Sequence, residues 1–83
     1  MIIKTKFHHR DNNGAKITAW TVISGKRRQL TIDYPYQLGG EDKYRLAALR
    51  LHEKLFGIAA TVAVNFVSEC AEGAYKFTSM EQS

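Results

Sequence analysis

The stretch that decides the fold is Ala15-Lys16-Ile17-Thr18-Ala19-Trp20-Thr21-Val22-Ile23-Ser24-Gly25-Lys26-Arg27-Arg28-Gln29-Leu30-Thr31-Ile32-Asp33, followed by Tyr34-Pro35. β-Branched residues dominate its first half, and alternation puts Ile17, Ala19, Thr21 and Ile23 on one face with Lys16, Thr18, Trp20 and Val22 on the other. Ser24-Gly25-Lys26 reads as a tight turn. Beyond it, Arg28, Leu30, Ile32 and Tyr34 alternate with Arg27, Gln29, Thr31 and Asp33, and Pro35, lacking an N–H, stops the ladder. Two strands joined by so short a turn must be antiparallel neighbours.

Working outward toward the N-terminus, Ile2 to His9 alternates as well, with Ile3, Thr5 and Phe7 opposed to Lys4, Lys6 and His8. Asp11-Asn12-Asn13-Gly14 supplies residues that tolerate positive φ, so a hairpin turn is expected there. On the C-terminal side, Glu41 to Phe56 is rich in Ala, Leu, Arg, Lys and Glu with no internal Gly or Pro, which predicts a helix of about four turns. Glu41 and Asp42 complement its positive end, Lys54 its negative end, and Gly57 is placed for a left-handed C′ residue. Tyr44, Ala47, Ala48, Leu51 and Leu55 form one apolar stripe for the sheet. Leu46, Leu49 and Phe56 form a second, which the C-terminal segment, a partner or a second copy of the chain would have to cover. Thr61 to Val67 and Ala74 to Thr78 read as two further strands, a hairpin with Glu72-Gly73 in its connection, and the polar tail from Ser79 to Ser83 should fray. The expectation is a single α+β domain over residues 1–83: a three-stranded antiparallel meander carrying one helix, then a C-terminal β-hairpin.

With 83 residues, 45% hydrophobic and 24% charged, the chain has the composition of one small folded domain rather than of a disordered segment or a two-domain enzyme. The net charge of +4 is unevenly spread: eleven of twelve cations but only five of eight anions fall in residues 1–54. A lone cysteine, Cys70, allows no internal disulfide. No apolar run reaches the ~18–20 residues that span a bilayer, and Met1-Ile2-Ile3-Lys4 lacks the order of a secretory signal. A cytoplasmic protein with no membrane partner is expected.

If the apolar face of the meander turns to the helix, period-two geometry sends Lys4, Lys6, Lys16, Thr18, Trp20, Arg27 and Gln29 to the other side, with Lys26 at the rim. Cations bind phosphates, Arg and Gln read base edges, and an indole offers a stacking plane. The same pattern also suits an ordinary solvated sheet face. His8, His9, His52 and Cys70 have no zinc-ligand spacing, and Arg45 with Asp42, or Arg50 with Glu53, reads as surface charge. No nucleophile with a supporting base and no phosphate-cradling glycine loop appears, so neither catalysis nor a cofactor is expected.

The two turns, the Gly25-Lys26-Arg27-Arg28 opening of the third strand and the helix with Ala47, Ala48 and Leu51 resemble the three-strand-plus-helix arm DNA-binding module of phage integrases. That resemblance implies a sheet face laid in the major groove of duplex DNA and implicates Lys16, Thr18, Trp20, Arg27 and Gln29. Separately, Tyr34-Pro35-Tyr36-Gln37-Leu38 with Glu41, Tyr44, Ala47-Ala48, Leu51 and Lys54-Leu55-Phe56-Gly57, together with Met1 to Gly14, is similar to small early-region proteins of short-tailed phages. It implies a protein made in the cytoplasm of an infected bacterium, where such proteins often bind and inhibit a host or defence component. Nucleic acid, with duplex DNA favoured, is the expected partner, and a host or defence protein is the alternative.

Overall fold

The computed structural model describes residues 1–10, 14–35, 37–71 and 74–80. Its elements are β1 (Ile2–Arg10), β2 (Gly14–Ile23), β3 (Lys26–Asp33), α1 (Glu41–Phe56), α2 (Ile58–Ala63), β4 (Asn65–Ala71) and β5 (Ala74–Met80). The α+β class, the meander, the long helix and the C-terminal hairpin are as the sequence predicts. Ser24 and Gly25, both at positive φ (51° and 78°), close the β2–β3 turn between the paired residues Ile23 and Lys26. That is the geometry whose twist matches the flanking strands. The expected turn at Asp11-Asn12-Asn13 and the Glu72-Gly73 connection lie outside the described residues.

All five strands form one antiparallel sheet in the order β3-β2-β1-β5-β4. The C-terminal hairpin therefore extends the meander past β1, and β1 becomes the central strand. Its two ladders barely overlap: β2 pairs with Lys4 to Arg10, β5 with Ile2 to Lys4, and Lys4 alone belongs to both. Where each ladder stops, a threonine hydroxyl bridges the strands. Thr21 Oγ1 donates to the Ile2 carbonyl at 2.7 Å and Thr5 Oγ1 to the Tyr75 carbonyl at 2.8 Å. Each thereby satisfies a carbonyl that the ladder leaves over.

The helix α1 packs on one face of this sheet. Ile3, Ile17, Ala19, Ala47, Ala48, Leu51, Phe66 and Phe77 make the core. The paired alanines put no bulk between the helix and the strands below. Arg45 ties the helix to the far edge of the sheet: its Nη1 donates to the Phe66 carbonyl at 3.2 Å, its Nη2 to Glu41 at 2.9 Å, and its guanidinium lies 5.3 Å from the Phe77 ring centroid. The ion pair is thus with Glu41, one turn back at i−4, rather than with Asp42. Ser68 Oγ also donates to Glu41, and the two donors hold its carboxyl below the usual value.

Three local expectations are corrected. The strand expected over Thr61–Val67 begins only at Asn65 and runs on to Ala71; Thr61 to Ala63 belong instead to a six-residue helix, α2. β4 pairs with β5 only from Asn65↔Met80 onward, so among the described residues no strand lies beside residues 58–63, which satisfy their backbone within a helical turn instead. Ser79 is not frayed: it lies within β5, and its N–H donates to the Met1 carbonyl at 2.9 Å. Gly57 ends α1 at φ 94°, ψ 169°, a positive-φ but extended conformation rather than the left-handed helical one, which lets the chain restart at once as α2.

His52, absent from the predicted stripe, is buried in it. Thr61 Oγ1 donates to the Gly57 carbonyl at 2.9 Å, so its contact with His52 Nδ1 at 2.8 Å must be accepted from an Nδ1–H. Phe56 and Phe66 flank the ring. Desolvation lowers its pKa below the ordinary 6.5. The unfolded chain therefore takes up the proton first, and stability present above about pH 6.5 falls as pH drops through the window between the two pKa values. His52→Gln is expected to flatten the loss of stability between pH 7 and 5 in urea titrations; an unchanged pH slope would contradict this account.

Candidate nucleic-acid interface

The sheet face away from α1 carries no element of the described chain, and the register fixes what it displays. One row runs across all five strands, Gln29-Trp20-Lys4-Lys76-Glu69, each neighbour directly opposite the next. On one side of it, the pairs Lys6↔Thr18 and Thr18↔Thr31 continue the surface, and beyond them His8↔Lys16 and Lys16↔Asp33. On the other side, Val22↔Arg27, Ile2↔Thr78 and Val67↔Thr78 do so. Lys4, Lys6, Lys16, Trp20, Arg27 and Gln29 thus share one face, as alternation requires.

They do not play equal parts. Arg27 lies over the Trp20 ring, 5.1 Å from its centroid, a cation–π contact worth ~0.5–1 kcal/mol at an exposed site. Lys16 is taken up by an ion pair with Asp33. Thr18 is buried and shares a hydrogen bond of 2.8 Å with Thr31, so it is part of the floor and offers no free hydroxyl. Lys26 is exposed at the turn, at the rim. Among the described residues Lys4, Lys6, Lys26, Arg27 and Arg28 form no ion pair. Arg28 belongs to the helix side, beside Leu51, Lys54 and Leu55.

Sequence reasoning missed Lys76 and Glu69, which form an ion pair at 3.1 Å. Nothing local marks them: they enter the face only because β5 docks on β1, more than 70 residues away in sequence. Lys4 and Lys76 stand directly opposite each other, a like-charge pair that weakens a sheet unless an anion neutralises it. Glu69 meets part of that demand from one side.

Two hollows open on this face, one at each place where a β1 ladder stops. The larger, about 580 Å³, lies between β1 and β2 and is lined by Met1, Ile2, Lys4, Trp20, Val22 and Ile23, with Thr21. The smaller, about 370 Å³, lies between β1 and β5 against Lys4, Thr5, Trp20, Glu69, Tyr75 and Lys76. Trp20 and Lys4 border both.

The second predicted stripe is split. Leu46 and Leu49 are half-buried in a groove with Val62, Val64 and Phe66, whereas Phe56, 48% exposed, belongs to a different hollow with Met1, His52 and Ala60. α2 and the start of β4 thus flank one part, not the whole. His8, His52 and Cys70 are on three different elements, and no group of three or more metal-ligating side chains occurs among the described residues. Among those residues no helix is long and apolar enough to cross a membrane.

No protein-family model, curated protein or solved structure matches this chain.

Proposed function

We propose that the protein is a small non-enzymatic accessory protein, of the kind phages encode, that binds nucleic acid through the uncovered face of its sheet. The observation that carries this reading is the row Gln29-Trp20-Lys4-Lys76-Glu69, with Lys6 and Arg27 beside it. It combines an aromatic plane, an amide able to read a base edge and cations in register, the three residue types that a nucleic-acid platform uses. The opposed Lys4 and Lys76 favour a polyanionic ligand on electrostatic grounds, because a phosphate between them converts repulsion into attraction.

A salt titration tests it. Four phosphate contacts, from Lys4, Lys6, Lys26 and Arg27, should give a slope of log affinity against log salt of roughly −3, and Lys4→Ala should make it shallower by about 0.7–0.9. If neither duplex nor single-stranded DNA or RNA is bound at ~50 mM salt, where phosphate contacts are strong, the reading is wrong.

A further inference from the structure

Resting on that reading, we infer that the ligand is a single-stranded nucleic acid rather than a duplex, with bases seated in the two hollows that Trp20 and Lys4 both border. Three observations lead there. The first is width. Five strands at ~4.8 Å spacing make a platform roughly 19 Å across, broader than the ~12 Å major groove that admits a helix or a two-stranded ribbon. Trp20 lies on the second strand of that platform, flanked on both sides, and cannot reach a groove floor without the rest of the sheet meeting the phosphates.

The second is the chemistry between the cations. Val22, Ile2 and Val67 are 64%, 47% and 53% exposed on this same face. Aliphatic side chains gain nothing from phosphates, and a duplex keeps its base faces stacked inside. A single strand has unstacked bases whose faces can cover both the indole and the aliphatics.

The third is the split ladder of β1. The hollow lined by Ile2, Trp20 and Val22 opens where the β2 ladder ends at Lys4↔Trp20, and the hollow lined by Lys4, Glu69 and Lys76 opens where the β5 ladder ends at Lys4↔Lys76. Each is a concave seat beside the indole. Lys4, at the boundary of both, is placed to hold the phosphate joining two seated nucleotides. Arg27, already over the ring, is placed to take the next phosphate or to stack on the outer base.

The test compares a labelled 12-nucleotide oligothymidine with a 12-base-pair duplex in ~50 mM salt, where phosphate contacts of both are strong, using full-length protein and two readouts. The single strand should bind at least ten times more tightly and should quench the emission of Trp20, the protein's only tryptophan. Trp20→Ala should weaken single-strand binding roughly 5- to 150-fold, the range for one lost stacking contact, with little change in duplex binding. Val22→Glu, at an exposed position, should weaken single-strand binding too and covers the case in which Trp20→Ala fails to fold. Duplex binding equal to or tighter than single-strand binding would overturn this inference and leave the nucleic-acid reading standing. Unchanged emission at saturation, or wild-type single-strand affinity in either folded variant, would also overturn it. Absence of binding to both oligonucleotides would remove the nucleic-acid reading itself.

Discussion

Replacing Lys4 with proline is expected to cost the protein a large part of its stability, whereas replacing it with alanine is expected to leave stability nearly unchanged. Lys4 is the one residue of β1 that pairs on both sides, with Trp20 and with Lys76. Whichever neighbour its N–H faces, a ladder stands there, and proline removes that donor from the middle of a sheet. The stranded carbonyl opposite costs ~1–3 kcal/mol, and the ring's steric demand on the neighbouring strands adds to it, so a total of at least about 3 kcal/mol is expected. For a domain whose whole stability is on the order of 4–12 kcal/mol at this length, that removes between about a quarter and three quarters of the total. The side chain of Lys4 is exposed, so Lys4→Ala should stay within about 0.5 kcal/mol. Urea unfolding of the pair decides the matter. Similar midpoints for the two variants would show that β1 is not the shared centre of the sheet.

Phe77→Ala is expected to cost about 3–5 kcal/mol, the range for emptying a large aromatic site in a core. Phe77 is fully buried on β5, directly opposite Ile3. Phe66 meets it edge-on at 6.1 Å, Tyr75 stacks at 6.2 Å, and the Arg45 guanidinium covers its face. The ring therefore joins three parts of the chain that are remote in sequence: the N-terminal strand, the helix and the C-terminal hairpin. Its loss leaves a cavity that backbone hydrogen bonding on both flanking strands prevents from collapsing. A change below ~1.5 kcal/mol, the range of a tolerated core swap, would place the energetic centre of the core elsewhere. Thermal unfolding followed by far-UV circular dichroism gives the comparison, with Val67→Ala as an exposed control on the adjacent strand.

The meander, the helix and the direction each strand's side chains take were legible because each rests on short-range information. The positive-φ turn at Ser24-Gly25, the alternation of Ile17, Ala19 and Thr21 with Thr18, Trp20 and Val22, and the uninterrupted run of helix formers from Glu41 to Phe56 specify themselves within a few residues. The basic, tryptophan-bearing face was legible for the same reason, since period two needs only one buried residue to orient a whole strand. Arg45, by contrast, finds Glu41 and the Phe66 carbonyl through a strand its own neighbourhood says nothing about. His52 reads as polar in any local window, yet it is buried because Thr61, supplied by a helix read as a strand, satisfies it.

What the sequence determined alone is the three-stranded meander with its inside and outside faces and the extent of the long helix, because sterics and burial act within one turn or one strand. Where the C-terminal hairpin docks was decided only in the tertiary structure. β5 takes the free half of β1, and that single choice makes β1 central, brings Lys76 opposite Lys4 and closes the second hollow beside them. Pairing between strands 70 residues apart depends on which edges remain unsatisfied once everything else has packed, and no local pattern encodes that.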